Sequence, residues 1–266
     1  MLLLHYLYAC LRRRVVPWNF FQLNSNYFNE TKGIFSKLEM DNHIPDQWRL
    51  PQYYFDREVV PESYPVFIKP EWGQNSNGIV RINSKSEYLA FDRHVRQKNM
   101  PYIVQQAASG RIEFEIYYLR SPESSDDFAV LSITQVVNNS RVQHPINSIH
   151  NPNTAYLDIT STFSTQELQD IWNHLKTIGS FRMARVCLKA DSKEDMLQGI
   201  YQIVEINLFL PMPLVLLAKN VREEKKQQLI ETIMLICARL VKTIPRNETG
   251  KSIFFRKMKA HHRSLQ

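Results

Sequence analysis

The segment Tyr64-Pro-Val-Phe-Ile-Lys-Pro-Glu-Trp-Gly-Gln-Asn-Ser-Asn-Gly-Ile79 joins an apolar run ending at Lys69 to a polar loop that holds Gly73 and Gly78. A strand that delivers a lysine into such a loop has the parts of an anion site. Glycines take positive φ and let backbone N–H groups approach an anion, Ser76 offers a hydroxyl, and Lys69 supplies a point charge. No Gly-Lys-Ser/Thr follows, so this is not a Walker loop. A hairpin turn with an exposed lysine fits the same residues, and a second element has to decide between the two.

That element is Gln202-Ile-Val-Glu-Ile-Asn-Leu208, where strand alternation puts Glu205 and Asn207 on one face, two hard oxygen ligands of the kind Mg²⁺ takes. Just before it, Met183–Ala190 reads as a neighbouring strand with Arg185, Cys187 and Lys189 sharing a face, and residues 191–195 as the polar turn between the runs. Such a hairpin sets cations beside an acid and an amide.

The elements that must hold these groups are legible by period and caps. Ser84-Lys-Ser-Glu87 is a capping box predicting a helix through about Val95, with Tyr88, Phe91 and Val95 on one face. Ser164-Thr-Gln-Glu167 opens another, whose Leu168, Ile171, Trp172, Leu175 and Ile178 form a core stripe. A third runs from about Arg222 to Lys242 with Leu229, Ile233, Ile236 and Leu240. Phe128–Val137 reads as a strand and residues 122–127 as a hairpin loop, with no internal repeat or low-complexity tract.

The order of lysine, glycine-bearing loop, acid-bearing strand, Arg-x-x and Glu-x-Asn resembles the ATP-grasp superfamily, specifically the D-alanine–D-alanine ligase-like carboxylate–amine ligases, over roughly residues 31–213. The resemblance implies an α+β fold in which two α+β subdomains sandwich the nucleotide. These would be residues 29–106 and 107–266, the second ending in a helix and a basic tail, after an apolar and basic N-terminal segment, 1–28. It further implies that residues 31–45 look like the family's helix whose early lysine, Lys32, reaches the nucleotide phosphates, and that Lys69 is the second ATP lysine. Tyr102–Glu115 is similar to the linker that meets adenine, which nominates Gln105 and the backbone of Ala108 for the base and Glu113 for the ribose. Arg185 matches the arginine that neutralises the transferring phosphate, and Glu205 and Asn207 match the metal ligands. The polar loop 141–156 stands where related ligases carry a lid, which nominates Arg141, His144 or His150 for the γ-phosphate or the acceptor, beside the reading of a plain surface loop.

Three departures qualify the resemblance. Where the family carries Arg-x-Asp this chain has Arg185-Val-Cys187, a soft thiol in place of a hard ligand. Gln105 stands where an acid is common. The family's α/β domain ahead of the ATP-binding part has little counterpart here. Lys189 either supplies charge to the site or runs its stem along the sheet to water.

At 266 residues with 44% apolar content the chain can bury a full core. Three cysteines, Cys10, Cys187 and Cys237, lie on separate apolar runs, which fits reduced thiols in a cytoplasmic protein. His144 and His150 lack zinc spacing with any cysteine. The N-terminal run Met1–Leu11 is too short to span a bilayer, and Arg12–Arg14 follow it instead of preceding it, so it reads as neither signal peptide nor spanning helix. With Trp18, Phe20 and Phe21 it suits a membrane interface at the inner face, or a helix packed on the ATP-binding lobe or in a homodimer. The net charge of +7 suits an anionic nucleotide and a carboxylate substrate, and no base-reading motif accompanies it, so no nucleic-acid partner is expected.

The function implied by the resemblance is an ATP- and Mg²⁺-dependent ligase that joins small carboxylate and amine substrates through an acylphosphate. The alternative is an ATP-grasp module that binds nucleotide with weak or no turnover, in a regulatory or membrane-associated role. A basic membrane- or nucleic-acid-associated protein without a nucleotide site comes third.

Overall fold

The computed structural model describes residues 2–73, 75–91, 101–249 and 253–258. Short apolar runs pair into two antiparallel sheets. The smaller, in the order β1-β4-β2-β3, is built from Gln52–Tyr54 (β1), Val66–Pro70 (β2), Val80–Ile82 (β3) and Tyr102–Gln106 (β4). The larger, β7-β6-β5-β8-β9, uses Ile112–Arg120 (β5), Phe128–Asn138 (β6), Thr154–Asp158 (β7), Met183–Ala190 (β8) and Gln202–Asn207 (β9).

Alternation along the larger sheet sorts its two faces. Phe114, Ile116, Tyr118, Val186 and Leu188 point to one side, into the main core with Ile171, Trp172 and Leu175 of the helix Thr165–Leu175 (α4). The opposite face is divided along its length. Tyr117, Leu119 and Met183 lie under the helices Leu2–Arg13 (α1) and Glu223–Val241 (α6), in a second core with Cys10 and Cys237. The same face carries Glu113, Glu115, Arg185, Cys187 and Lys189 where the smaller sheet faces it. Apolar side chains therefore fill the helix-covered end, and charged ones line the end left open as a cleft.

The α4 start matches its sequence signature: Ser164 Oγ accepts from the Glu167 N–H at 3.2 Å, and the Glu167 carboxylate accepts from the Ser164 N–H at 2.6 Å. All three cysteines are free and buried. The hairpin loop lies between β5 and β6 as expected.

Three local expectations need correction. Residues 31–45 are not one helix: Asn29 and Ile34 form a bridge, and Gly33, at φ 72°, turns the chain so that its N–H reaches the Asn29 carbonyl at 2.8 Å. Only Lys37–Asp41 (α2) is helical, started by Ser36, whose Oγ accepts from the Glu39 N–H. The helix after Ser84 spans Lys85–Ala90 (α3) and stops because Phe91 is extended; Val95 lies outside the described residues. The Glu87 carboxylate there accepts from the Asn83 N–H, not from the cap residue. The turn 191–195 is a Ser192-capped short helix, Lys193–Leu197 (α5), so β8 and β9 are neighbours without a tight hairpin.

Candidate functional site

Two adjoining cavities of about 260 and 110 Å³ lie between the sheets, sharing Ser76, Glu113, Glu115, Asn147 and Glu205 in their walls. Lys69, at the end of β2, and Glu205, on β9, both open onto the smaller one, along with Gln105, Ala108, Cys187 and Lys189. Arg185, Asn207 and Lys37 line the larger. Gly78 lines neither, but it takes φ 76° in the loop, and a side chain there would press on Pro70. Gly73 does not take positive φ; Asn75 and Ser76 do, at 54° and 59°.

A bulge in the β8–β9 ladder positions the lysine. Cys187 pairs with Glu205 and Leu188 with Ile203, so Val204 is left out of register. Its carbonyl accepts from Lys69 Nζ at 3.3 Å and from Gln105 Nε2 at 3.1 Å, while Lys69 Nζ also donates to Gln105 Oε1 at 2.9 Å. Lys69 is thus buried among neutral oxygens, and among the described residues no carboxylate contacts it. Burial lowers its pKa to about 8, against the opposing pull of the nearby Glu205 charge. A buried ammonium held by neutral acceptors has its charge available for an incoming anion.

The acids of the cleft are tuned against the same cations. Burial favours the protonated form of Glu205, but Lys37, Lys69 and Arg185 outweigh it and hold its carboxyl below the ordinary value. Lys37 Nζ lies 3.5 Å from Glu205 and 3.2 Å from the Pro70 carbonyl it donates to, so it spans both sheets. Cys187 sits between Glu115 and Glu205 in the register, and burial followed by those carboxylates raises its thiol well above the usual range. Burial raises Glu115 to about 7 and outweighs the opposing charge of Arg185, whose Nε lies 3.2 Å away.

This sets a sign for pH. Between about 4.5 and 7 the folded chain holds a proton on Glu115 that the unfolded chain has lost, so this residue's contribution to stability falls as pH rises through that window. Asp41, raised to about 6 by burial, acts in the same direction. Glu115→Gln is expected to reduce the loss of thermal midpoint over that window relative to the wild type. Identical slopes in the two proteins would refute the assignment.

The sequence-nominated residues divide in this structure. Lys69, Ser76, Gln105, Ala108, Glu113, Arg185, Glu205 and Asn207 border the cavities. Lys32 borders neither: its ammonium donates to Glu71 at 2.7 Å and Tyr54 at 2.9 Å and lies 3.3 Å from Glu39, and Lys37 reaches the cleft instead. In the loop 141–156, the residues that line the cleft are Pro145–Ile149 and Tyr156, not Arg141, His144 or His150. Asn147 is the central contact: Ser76 Oγ donates to its carbonyl at 2.8 Å, and its amide donates to Glu113 at 3.0 Å. The His144 carbonyl accepts from Arg81.

Glu71, Glu115, Lys37 and Asn147 escaped the sequence reading. Glu115 had a usable signal, since it stands two residues from Glu113 on one strand and must share its face. Lys37 lies inside a Ser-x-x-Glu cap, Ser36 to Glu39, that marks the true helix start. Nothing local distinguishes Glu71 or Asn147.

Donor capacity for a divalent cation is present. Glu205 and Asn207 offer a carboxylate and an amide oxygen to the larger cavity, and Glu115 Oε2 beside them is buried without a hydrogen bond. Glu113, Glu115 and Cys187 also bring ligand atoms within 4.8 Å of one another, but Lys189 at 4.0 Å and Arg185 at 3.2 Å already face the two carboxylates. The oxygen set of Glu205 and Asn207 is the better fit to a hard cation such as Mg²⁺.

No family model and no curated protein matches the sequence. Among solved structures, the chain is similar to an L-amino acid ligase from Bacillus licheniformis, at 16% identity and a TM-score of 0.51 over 80% of this chain and 49% of that one. It is also similar to a D-alanine–D-alanine ligase from Bacillus anthracis, at 11% identity and a TM-score of 0.50 over 78% of this chain and 68% of that one. The chain thus spans about half the length of the first, and at these identities the likeness is one of fold.

Proposed function

The chain has an ATP-grasp carboxylate–amine ligase-like fold, and from that premise we propose that it binds Mg-ATP between its sheets and joins a small carboxylate to an amine. The observation that carries this reading is that Lys69 and Glu205, from different sheets and distant in sequence, open onto one cavity. Both solved neighbours are named as ligases of amino acids, so amino acids are the proposed carboxylate and amine.

In this reading Lys69, Lys37, Ser76 and the Gly78 turn hold the phosphates, while Lys32 braces the loop through Glu71. Gln105 and the Ala108 backbone face the base and Glu113 the ribose. Mg²⁺, held by Glu205 and Asn207, would neutralise charge on the phosphate oxygens. Arg185 stabilises the charge that develops as a carboxylate oxygen bonds to the γ-phosphorus and ADP leaves. The amine then attacks the acyl carbon, phosphate departs, and an amide remains. Asn147, bonded to both Ser76 and Glu113, would close the loop over this intermediate and exclude water.

Mg-ATP should raise the thermal midpoint, since ligand at a hundredfold its Kd stabilises by about 2.7 kcal/mol. Phosphate release should appear when pooled L- and D-amino acids are added. A midpoint shift without phosphate release favours the second reading, a nucleotide-binding module, for which Cys187 in place of a hard ligand is the supporting observation. No shift would sink both.

A further inference from the structure

Basic charge is concentrated at the two ends of the chain. Residues 1–28 and 250–266 carry eight Lys or Arg and no Asp or Glu, one more than the net charge of +7, so the intervening chain sums to minus one. The exposed apolar surface gathers in the same segments.

The helix α1 buries Tyr6, Ala9 and Cys10 against the α6 core. Its other side is also apolar: Leu3, Leu4, Leu7, Tyr8 and Leu11 span an arc of about 140° at 100° per residue, and Leu3, Leu4 and Leu11 are 67%, 69% and 79% exposed. A helix apolar on all sides is normally covered on all sides. Arg12, Arg13 and Arg14, all exposed, follow the stripe directly, and Trp18 is 70% exposed just beyond. Behind this surface, ring contacts link the buried side of α1 to the other end of the chain. Tyr6 meets Phe20 at 4.9 Å, Phe20 meets Phe21 at 6.2 Å, Phe21 meets Phe254 at 4.7 Å, and Phe254 meets Phe255 at 5.6 Å. Phe255 and Met258 are again exposed.

We propose that this surface docks the protein on an anionic lipid bilayer, with α1 lying in the plane of the interface. The leucines enter the acyl boundary, Tyr8 and Trp18 sit at headgroup level, and the arginines meet lipid phosphates. Charge complementarity selects this occupant. A second copy stacked on the same stripe about a two-fold axis would find no acid in residues 1–28 to pair with its arginines, whether the two helices ran parallel or antiparallel. A nucleic acid would use the arginines and leave the leucines in water. No helix among the described residues is long and apolar enough to cross a membrane, so the contact is peripheral.

The test is co-sedimentation of the whole chain with vesicles of phosphatidylcholine alone or mixed with phosphatidylglycerol. Binding is expected to the anionic vesicles only, weakening as salt rises. The double variant Leu7→Glu/Leu11→Glu and the triple variant Arg12→Ala/Arg13→Ala/Arg14→Ala should each weaken it at least tenfold, about 1.4 kcal/mol. Their thermal midpoints, and any Mg-ATP shift, should stay at the wild-type value because these side chains are exposed and away from the cleft. The proposal is overturned if no vesicle is bound, or if binding survives the leucine changes and falls only with the arginines. Self-association in the absence of lipid that Leu7→Glu/Leu11→Glu abolishes, without vesicle binding, would also overturn it in favour of a second copy.

Discussion

Lys69→Ala is expected to remove the stabilisation of the protein by Mg-ATP and to lower any phosphate release by at least about a hundredfold, the scale seen when one preorganised donor is taken from a charge-stabilising site. The reason lies in its surroundings. Its ammonium is buried and contacts Gln105 and the Val204 carbonyl, and no carboxylate among the described residues contacts it to take up its charge. Burial has already lowered its pKa to about 8, so an anion arriving in the cavity restores the charged form and gains a strong contact in a low-dielectric site. Nucleotide affinity of the wild type should therefore weaken as pH rises through about 8, and the alanine variant should lack that component. Stability without nucleotide runs the opposite way. From about pH 8 to the ordinary lysine value, the folded chain holds fewer protons on Lys69 than the unfolded chain, so this residue's contribution to stability rises with pH. Removing a poorly solvated charge should leave the unliganded midpoint close to that of the wild type. Retention of the full Mg-ATP shift by the variant would refute the assignment.

The second large effect is structural. Trp172→Ala should destabilise the protein by about 3–5 kcal/mol, lowering the thermal midpoint by roughly 10 °C at about 2–4 °C per kcal/mol for a chain of this size. Trp172 is fully buried in the main core, edge-on to Tyr118 at 5.2 Å and to Phe128 at 5.8 Å. The Arg120 guanidinium lies 4.9 Å from its ring, and its indole N–H donates to the Asp126 carbonyl at 2.5 Å. The substitution empties a large volume and unpairs a carbonyl in the β5–β6 loop. Trp172→Phe, which keeps an aromatic ring but loses the donor, should fall between the two. A midpoint drop below about 3 °C for the alanine variant, measured by calorimetry, would mean that the core collapses around the gap far better than its packing implies.

Both effects trace to residues that could be chosen without coordinates, and the reason is locality. The α4 stripe and its Ser164–Glu167 box need only a few turns of chain to be recognised, and the structure reproduces both. The alternation that puts Glu205 beside Asn207, and Arg185 beside Cys187, is a property of each strand alone. The family resemblance added the order in which such pieces occur, and with it the fold.

What the sequence could not supply depends on contacts across the chain. The resemblance nominates Lys32 as the phosphate lysine, but past the turn at Gly33 its ammonium meets Glu71, and Lys37, which the sequence reading passed over, stands at Glu205. Asn147 matters because β6, β7 and the Ser76 loop meet there, a distance relation invisible in its neighbours. The bulge at Val204, which turns a backbone carbonyl toward Lys69, arises from pairing between β8 and β9. Periodicity and capping are written within one element, so the chain alone determined the helices α4 and α6, the strands β6, β8 and β9 and the faces that carry charge. The partner of each buried charge is set by which elements pack together, and only the tertiary structure decided that.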